Sequence, residues 1–210
     1  MPRPARRCEY QIGVTSLEAA IRQIHADLTA AQVSFALVGG LAVSARTEPR
    51  FTRDADLAVA VASDAEAEAL IHRLRDRHYG IESIVEQDAV GRLATVRLTR
   101  PSAPQAPVVD LLFASSGIER EVVAAAEAIE LLQNLMIGVA RTGHLIALKV
   151  LSRDDINRPQ DLSDLRALLR VASGGELGRA REALGLITSR GYHRGRELAS
   201  ELQQLLDAAP

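Results

Sequence analysis

FALVGGLAVSARTEPRFTRDADLAVAV, from Phe35 to Val61, holds two apolar runs joined by a double glycine, a short helical stretch and a basic loop. The first run, Val33 to Val38, reads as a strand that stops at Gly39-Gly40. Leu41 to Arg46 reads as a short helix, and Glu48-Pro49 ends it because proline cannot continue the hydrogen-bond ladder. Asp54 to Val61 reads as the second strand. Side chains alternate along a strand, so Asp54 and Asp56 share one face and Ala55 and Leu57 the other. Two carboxylates held roughly 6–7 Å apart repel by about 2–3 kcal/mol at an effective dielectric near 20. A divalent cation between them offsets that cost, and hard oxygen ligands suit Mg²⁺.

Outward from this stretch, the chain alternates strands and helices. Thr15-Ser16-Leu17-Glu18 reads as a capping box opening a helix to Ala30, with Leu17, Ile21, Ile24 and Leu28 on one stripe. Ser63-Asp64-Ala65-Glu66 opens another helix, which ends near Tyr79-Gly80. Leu93 to Leu98 and Pro107 to Phe113 read as strands, joined by a proline-rich hairpin loop, Pro101 to Pro107. Past Ser116 the pattern becomes helical, with spans expected at Glu119–Leu135, Thr142–Ser152, Pro159–Val171, Glu176–Ser189 and Arg194–Asp207. Ile137 to Ala140 is the one short extended segment there. The expected fold class is therefore α+β. Residues 1–115 form a mixed sheet flanked by helices, residues 1–10 being flexible, and residues 116–210 form a helical unit packed on it.

Composition narrows the function. The 210 residues carry a net charge of −2, so nucleic acid would have to be held by a local basic patch rather than by overall charge. One cysteine, Cys8, excludes an internal disulfide framework and a cysteine zinc site, which fits a cytoplasmic protein. No apolar run reaches the roughly 20 residues needed to cross a bilayer, so no membrane partner is expected. Of 25 basic residues only Lys149 is lysine.

A third acid interrupts an apolar run in Val108-Val109-Asp110-Leu111-Leu112-Phe113. Asp110 is either a strand-end acid paired with an arginine, or the neighbour of Asp56 across the sheet. The second arrangement makes a three-carboxylate cluster able to hold two Mg²⁺ ions for in-line phosphoryl or nucleotidyl transfer. Glycines between a strand and a helix also expose helix amides to an anion. Arg46, Arg50 and Arg53 form a basic loop beside the acids, suited either to phosphate or to plain charge balance.

Taken together, Gly39-Gly40, Asp54-Ala55-Asp56 and Asp110 resemble the nucleotidyltransferase superfamily typified by DNA polymerase beta. Within it, Gly-Gly-Leu-Ala-Val followed by Pro-Arg-Phe-Thr-Arg-Asp-Ala-Asp is closest to the AbiEii/AbiGii toxin group. The group's lysine-bearing helix matches Ala147-Leu148-Lys149-Val150-Leu151, and its acidic motif matches Arg158-Pro159-Gln160-Asp161-Leu162-Ser163-Asp164-Leu165. The resemblance implies Asp54, Asp56 and Asp110 as metal ligands, Asp110 serving alternatively as the general base. It implies Gly39, Gly40 and Lys149 as nucleotide-binding residues, to which Arg53 of the basic loop is added, with Mg²⁺ as cofactor and Mn²⁺ as a substitute. The superfamily often has Gly-Ser where this chain has Gly39-Gly40, so a hydroxyl contact with phosphate is missing.

The implied activity is NMP transfer from an NTP to an acceptor hydroxyl, the RNA or tRNA 3′ end, by the toxin of a toxin–antitoxin pair. The partners expected are an NTP, the RNA acceptor and a cognate antitoxin, with the protein itself a monomer. Two other readings stay open: a small-molecule nucleotidyltransferase of the aminoglycoside type, and a non-catalytic binding domain. Asp161 and Asp164 read as structural, with Asp164 pairing with Arg158 or Lys149, and His144 as a capping or packing residue.

Overall fold

The computed structural model describes residues 6–87, 90–100 and 107–208, with side chains from residue 16 onward. The elements run α1 (Arg6–Ala30), β1 (Ser34–Val38), α2 (Gly39–Arg46), β2 (Ala55–Ala60), α3 (Asp64–Asp76), β3 (Gly80–Gln87), β4 (Arg92–Thr99) and β5 (Val109–Leu112). Then follow α4 (Glu119–Ala124), β6 (Glu127–Leu132), β7 (Leu135–Val139), α5 (Thr142–Ser152), α6 (Pro159–Val171), α7 (Gly174–Ser189) and α8 (Leu198–Asp207). Seven strands form one mixed sheet in the order β3-β4-β5-β2-β1-β7-β6, an α+β arrangement.

The core is continuous across the chain. Ile21, Ile24 and Leu28 of α1 are buried on the expected stripe, and Leu37, Leu57, Leu111, Leu145, Leu165 and Leu184 belong to the same cluster. Helix α5 packs on α2, α6, α7 and α8, so the C-terminal helices gather behind the glycine turn.

Four expectations change. Helix α1 begins at Arg6 and runs through Thr15, so Thr15–Glu18 is helix interior rather than a start; residues 1–5 lie outside the described residues. Strand β3 was not anticipated, because all but one of its residues are exposed and no inward-facing alternation marks it. The helix expected over Glu119–Leu135 stops at Ala124, and a β6–β7 hairpin follows. Asn134 takes a left-handed φ of 60°, which turns that hairpin. Because β7 pairs in parallel with β1, the sheet extends past residue 115 and is built from both halves of the chain. The Pro101–Pro107 link lies almost wholly outside the described residues, although β4 and β5 do pair antiparallel.

Candidate active site

Three strand ends meet at one end of the central strands of the sheet. β1 runs antiparallel to β2 with Val38 opposite Asp56. β2 runs parallel to β5 with Asp56 opposite Asp110. The register thus sets Asp110 beside Asp56, and β4 sets Arg97 beside Asp110.

Gly39 makes the turn possible. Its φ is +62°, in the left-handed region that costs a side-chain-bearing residue about 1–2 kcal/mol. A Cβ there would lie 1.9 Å from Asp56 Oδ2, so the glycine backbone lies directly against the Asp56 carboxylate. At Gly40 a Cβ would come within 2.8 Å of an Arg50 Nη and 3.0 Å of Thr52 Oγ1. A side chain at this position, as in the Gly-Ser form of the turn, would have to displace the Arg50 guanidinium that Asp164 holds.

The three aspartates stand in different environments. Asp110 is buried and accepts from Arg97 Nε at 2.9 Å and Arg97 Nη2 at 2.7 Å, a bidentate pair. The Asp110 hydrogen bond raises the Arg97 pKa further above its ordinary value. Asp54 and Asp56 have no ion pair among the described residues. Burial, then repulsion from Asp110, pushes Asp56 up to about 6; Lys149 and the Gly40 amide work against the rise. Burial also raises Asp54, opposed by Arg97 and reinforced by Asp110. Asp54 and Asp56 thus fit a hard divalent cation, being oxygen donors that repel one another and have no ion-pair partner among the described residues. Asp110 would have to share its carboxylate between such a site and Arg97. As the side chains stand, no group of three or more His, Cys, Asp or Glu residues among the described residues is arranged to hold a metal ion.

Lys149 lies behind Asp56, but it is not free. Its Nζ is 2.6 Å from Asp161 Oδ1 and 2.9 Å from Asp164 Oδ2. Arg50 grips the same Asp164 through Nε and Nη2, both at 2.7 Å. Burial opposes ionisation of Asp164, yet the Arg50 and Lys149 hydrogen bonds hold its pKa below the ordinary value. Asp161 and Asp164 therefore pair with Lys149 and Arg50, not with Arg158. Arg46 is likewise occupied, donating to Val139 O, Ala140 O and Glu127. Of the three loop arginines, Arg53 alone makes no ion pair among the described residues, and its guanidinium lies 5.6 Å from the Phe51 ring centroid. His144 is buried at the start of α5, and burial, then Arg179, lowers its pKa to about 4, a neutral packing residue.

Lys149→Gln is expected to lower stability by about 1–3 kcal/mol with no nucleotide present, because buried Asp161 loses its cation. Chemical denaturation of both proteins checks it; an unchanged midpoint would mean that the lysine does not hold α6 to α5.

Arg97 and Phe51 were not singled out from the sequence. Arg97 was accessible in principle: once β4 and β5 are read as a hairpin, an arginine in an apolar strand is the natural partner of the aspartate across from it.

The fold has known counterparts. An antigenic nucleotidyltransferase-like protein from Paracoccidioides brasiliensis matches at 18% identity, covering 93% of this chain and 94% of that one, with a TM-score of 0.53. ANT(2")-Ia in complex with adenylyl-2"-tobramycin matches at 15% identity, covering 82% and 97%, with a TM-score of 0.54. At such identities these likenesses establish the fold. No curated protein sequence matches significantly. Residues 25–209 match the family described as nucleotidyl transferase AbiEii toxin, type IV toxin–antitoxin system. With most of its length covered, and with the glycine turn and aspartate strand in place, this chain belongs to the AbiEii family of nucleotidyltransferase toxins.

Proposed function

We propose that the protein transfers a nucleoside monophosphate from an NTP to a terminal hydroxyl of RNA, the tRNA 3′ end being the acceptor implied by the family resemblance. It would do so with Mg²⁺ held by Asp54 and Asp56. The observation that carries this reading is the pair of carboxylates with no ion pair among the described residues, Asp56 lying directly against the Gly39 turn. When bound, the divalent cation neutralises the triphosphate and lowers the barrier to in-line attack at the α-phosphorus.

The chain's own residues divide the remaining work. The Gly40 amide, at the α2 N-terminus, hydrogen-bonds the Asp56 carboxylate and fixes it beside the turn. Arg53 offers a guanidinium to phosphate oxygens. Asp110, once released by Arg97, can accept the proton from the attacking hydroxyl. Lys149 contributes as a fixed positive charge behind Asp56. A toxin role implies an antitoxin that opposes the activity, and no helix among the described residues is long and apolar enough to cross a membrane.

Incubation with each labelled NTP, Mg²⁺ and total RNA tests the reading, with aminoglycosides supplied in parallel. Label in RNA supports it. Label only on the aminoglycoside transfers the assignment to a small-molecule acceptor, and label on neither, across NTPs and metals, ends the catalytic reading.

A further inference from the structure

The loop between α2 and β2 carries an aromatic side chain that the fold does not use. Phe51 is 61% exposed, whereas Phe113, Tyr79 and Tyr192 are buried and Phe35 is half-buried. Among the described side chains it is thus the one exposed aromatic. A lone exposed apolar residue is ordinary on a floppy loop, but this loop is pinned on both sides of the ring. The Arg50 amide donates to Ser44 Oγ at 3.3 Å, and Arg50 Nη1 donates to the Phe51 carbonyl at 3.1 Å. The same guanidinium is clamped by Asp164 at 2.7 Å. Thr52 Oγ1 donates to the Asp54 carbonyl at 3.5 Å. The loop that carries the ring is therefore held in place, three residues before Asp54. Arg53 lies over it at cation–π distance and leaves most of the ring open.

We infer that Phe51, backed by Arg53, is a stacking platform for a nucleobase at the reaction centre, a specificity-determining contact that rests on the nucleotidyl-transfer reading. An anchored ring beside a guanidinium offers a flat, polarised surface that any base can cover, and neither side chain presents an acid to repel the attached phosphates. Three residues from Asp54, and backed by an Arg53 whose charge acts on that carboxylate, the ring can take a base from the NTP or from the last nucleotide of the acceptor. Both have the same chemistry, and the measurement separates them.

Wild type, Phe51→Ala, Phe51→Leu and Phe51→Trp are compared in calorimetric binding of each NTP, of inorganic tripolyphosphate, and of single-stranded RNA with an intact or abasic 3′ end. Phe51→Ala and Phe51→Leu are expected to weaken one base-bearing ligand by about tenfold, with Phe51→Trp retaining affinity. Weakening of an NTP but not of tripolyphosphate identifies the nucleotide base. Weakening of intact but not abasic RNA identifies the acceptor base. Affinities unchanged in every arm, equal losses with and without a base, or wild type binding no base-bearing ligand would overturn the platform. The Asp56-dependent label transfer is scored separately, so persistence of transfer with no Phe51 effect removes this inference alone. Since the ring is mostly exposed, the substitutions are not expected to disturb folding, and unfolding midpoints check that.

Discussion

Asp56→Asn is expected to abolish label transfer, by ~10³-fold or more, while making the metal-free protein more stable. The two effects have one cause. Asp56 is ionised at pH 7 against burial and against Asp110, which holds its pKa near 6 rather than near the model-peptide value. A rise of about two units corresponds to about 3 kcal/mol of strain in the folded state at neutral pH. Removing the charge relieves it. The same charge is what clamps the cation and, through it, the developing charge on the transferring phosphoryl group, an effect that costs hundreds- to thousands-fold when lost elsewhere. Single-turnover transfer and urea denaturation in EDTA measure the pair. Mg²⁺ should raise the unfolding temperature of wild type and leave the variant unmoved. Transfer within tenfold of wild type would remove Asp56 from the centre, and a less stable variant would contradict the repulsion.

The second large effect is a pair of opposing pH dependences. His144 is neutral in the fold, its pKa lowered to about 4, so the unfolded chain binds the extra proton as pH falls below 6.5. Its contribution is complete above pH 6.5 and is lost on acidification. Asp56 has the opposite sign, because its folded pKa is raised to about 6, and acidification through that value removes its repulsion. Between pH 7 and 5 the His144 loss is about 2 kcal/mol and the Asp56 gain about 1 kcal/mol. Wild type should therefore show a shallow profile there. Asp56→Asn should steepen the loss to about 2 kcal/mol, and His144→Gln should reverse the slope, with stability rising toward pH 5. The window stops at pH 5 because Asp164, Glu121 and Glu176, all held below their ordinary values, begin to lose their contributions under it. Denaturation midpoints of the three proteins in EDTA decide it; parallel profiles would show that neither group titrates as its burial requires.

Much of the fold was legible from local patterns. α5 and α6 begin and end where their apolar periodicity and Pro159 place them. Ser63 caps α3, accepting from the Glu66 amide as its spacing requires. The misreadings share one origin. In Glu119–Leu135 the residues Ala-Ile-Glu-Leu-Leu suit a helix as well as a strand, and parallel pairing of β7 with β1 settles the matter from about a hundred residues away. Strand β3 is an exposed edge held by β4, so no core-facing alternation marks it.

For the site, the sequence alone was enough to place Asp54 and Asp56 on one face of a strand after a glycine turn, because period-two geometry and the conformational freedom of glycine are local properties. It was also enough, by motif, to bring Asp110 to the same end of the sheet. Tertiary structure alone decided which charges are spent and which remain. Arg97 takes Asp110, Asp161 and Asp164 take Lys149, Asp164 also takes Arg50, and Asp54 and Asp56 are left without an ion pair among the described residues. Pairing depends on distances between side chains brought together across strands and helices, and a few ångströms separate a bidentate ion pair from a screened neighbour. No local pattern encodes that distance.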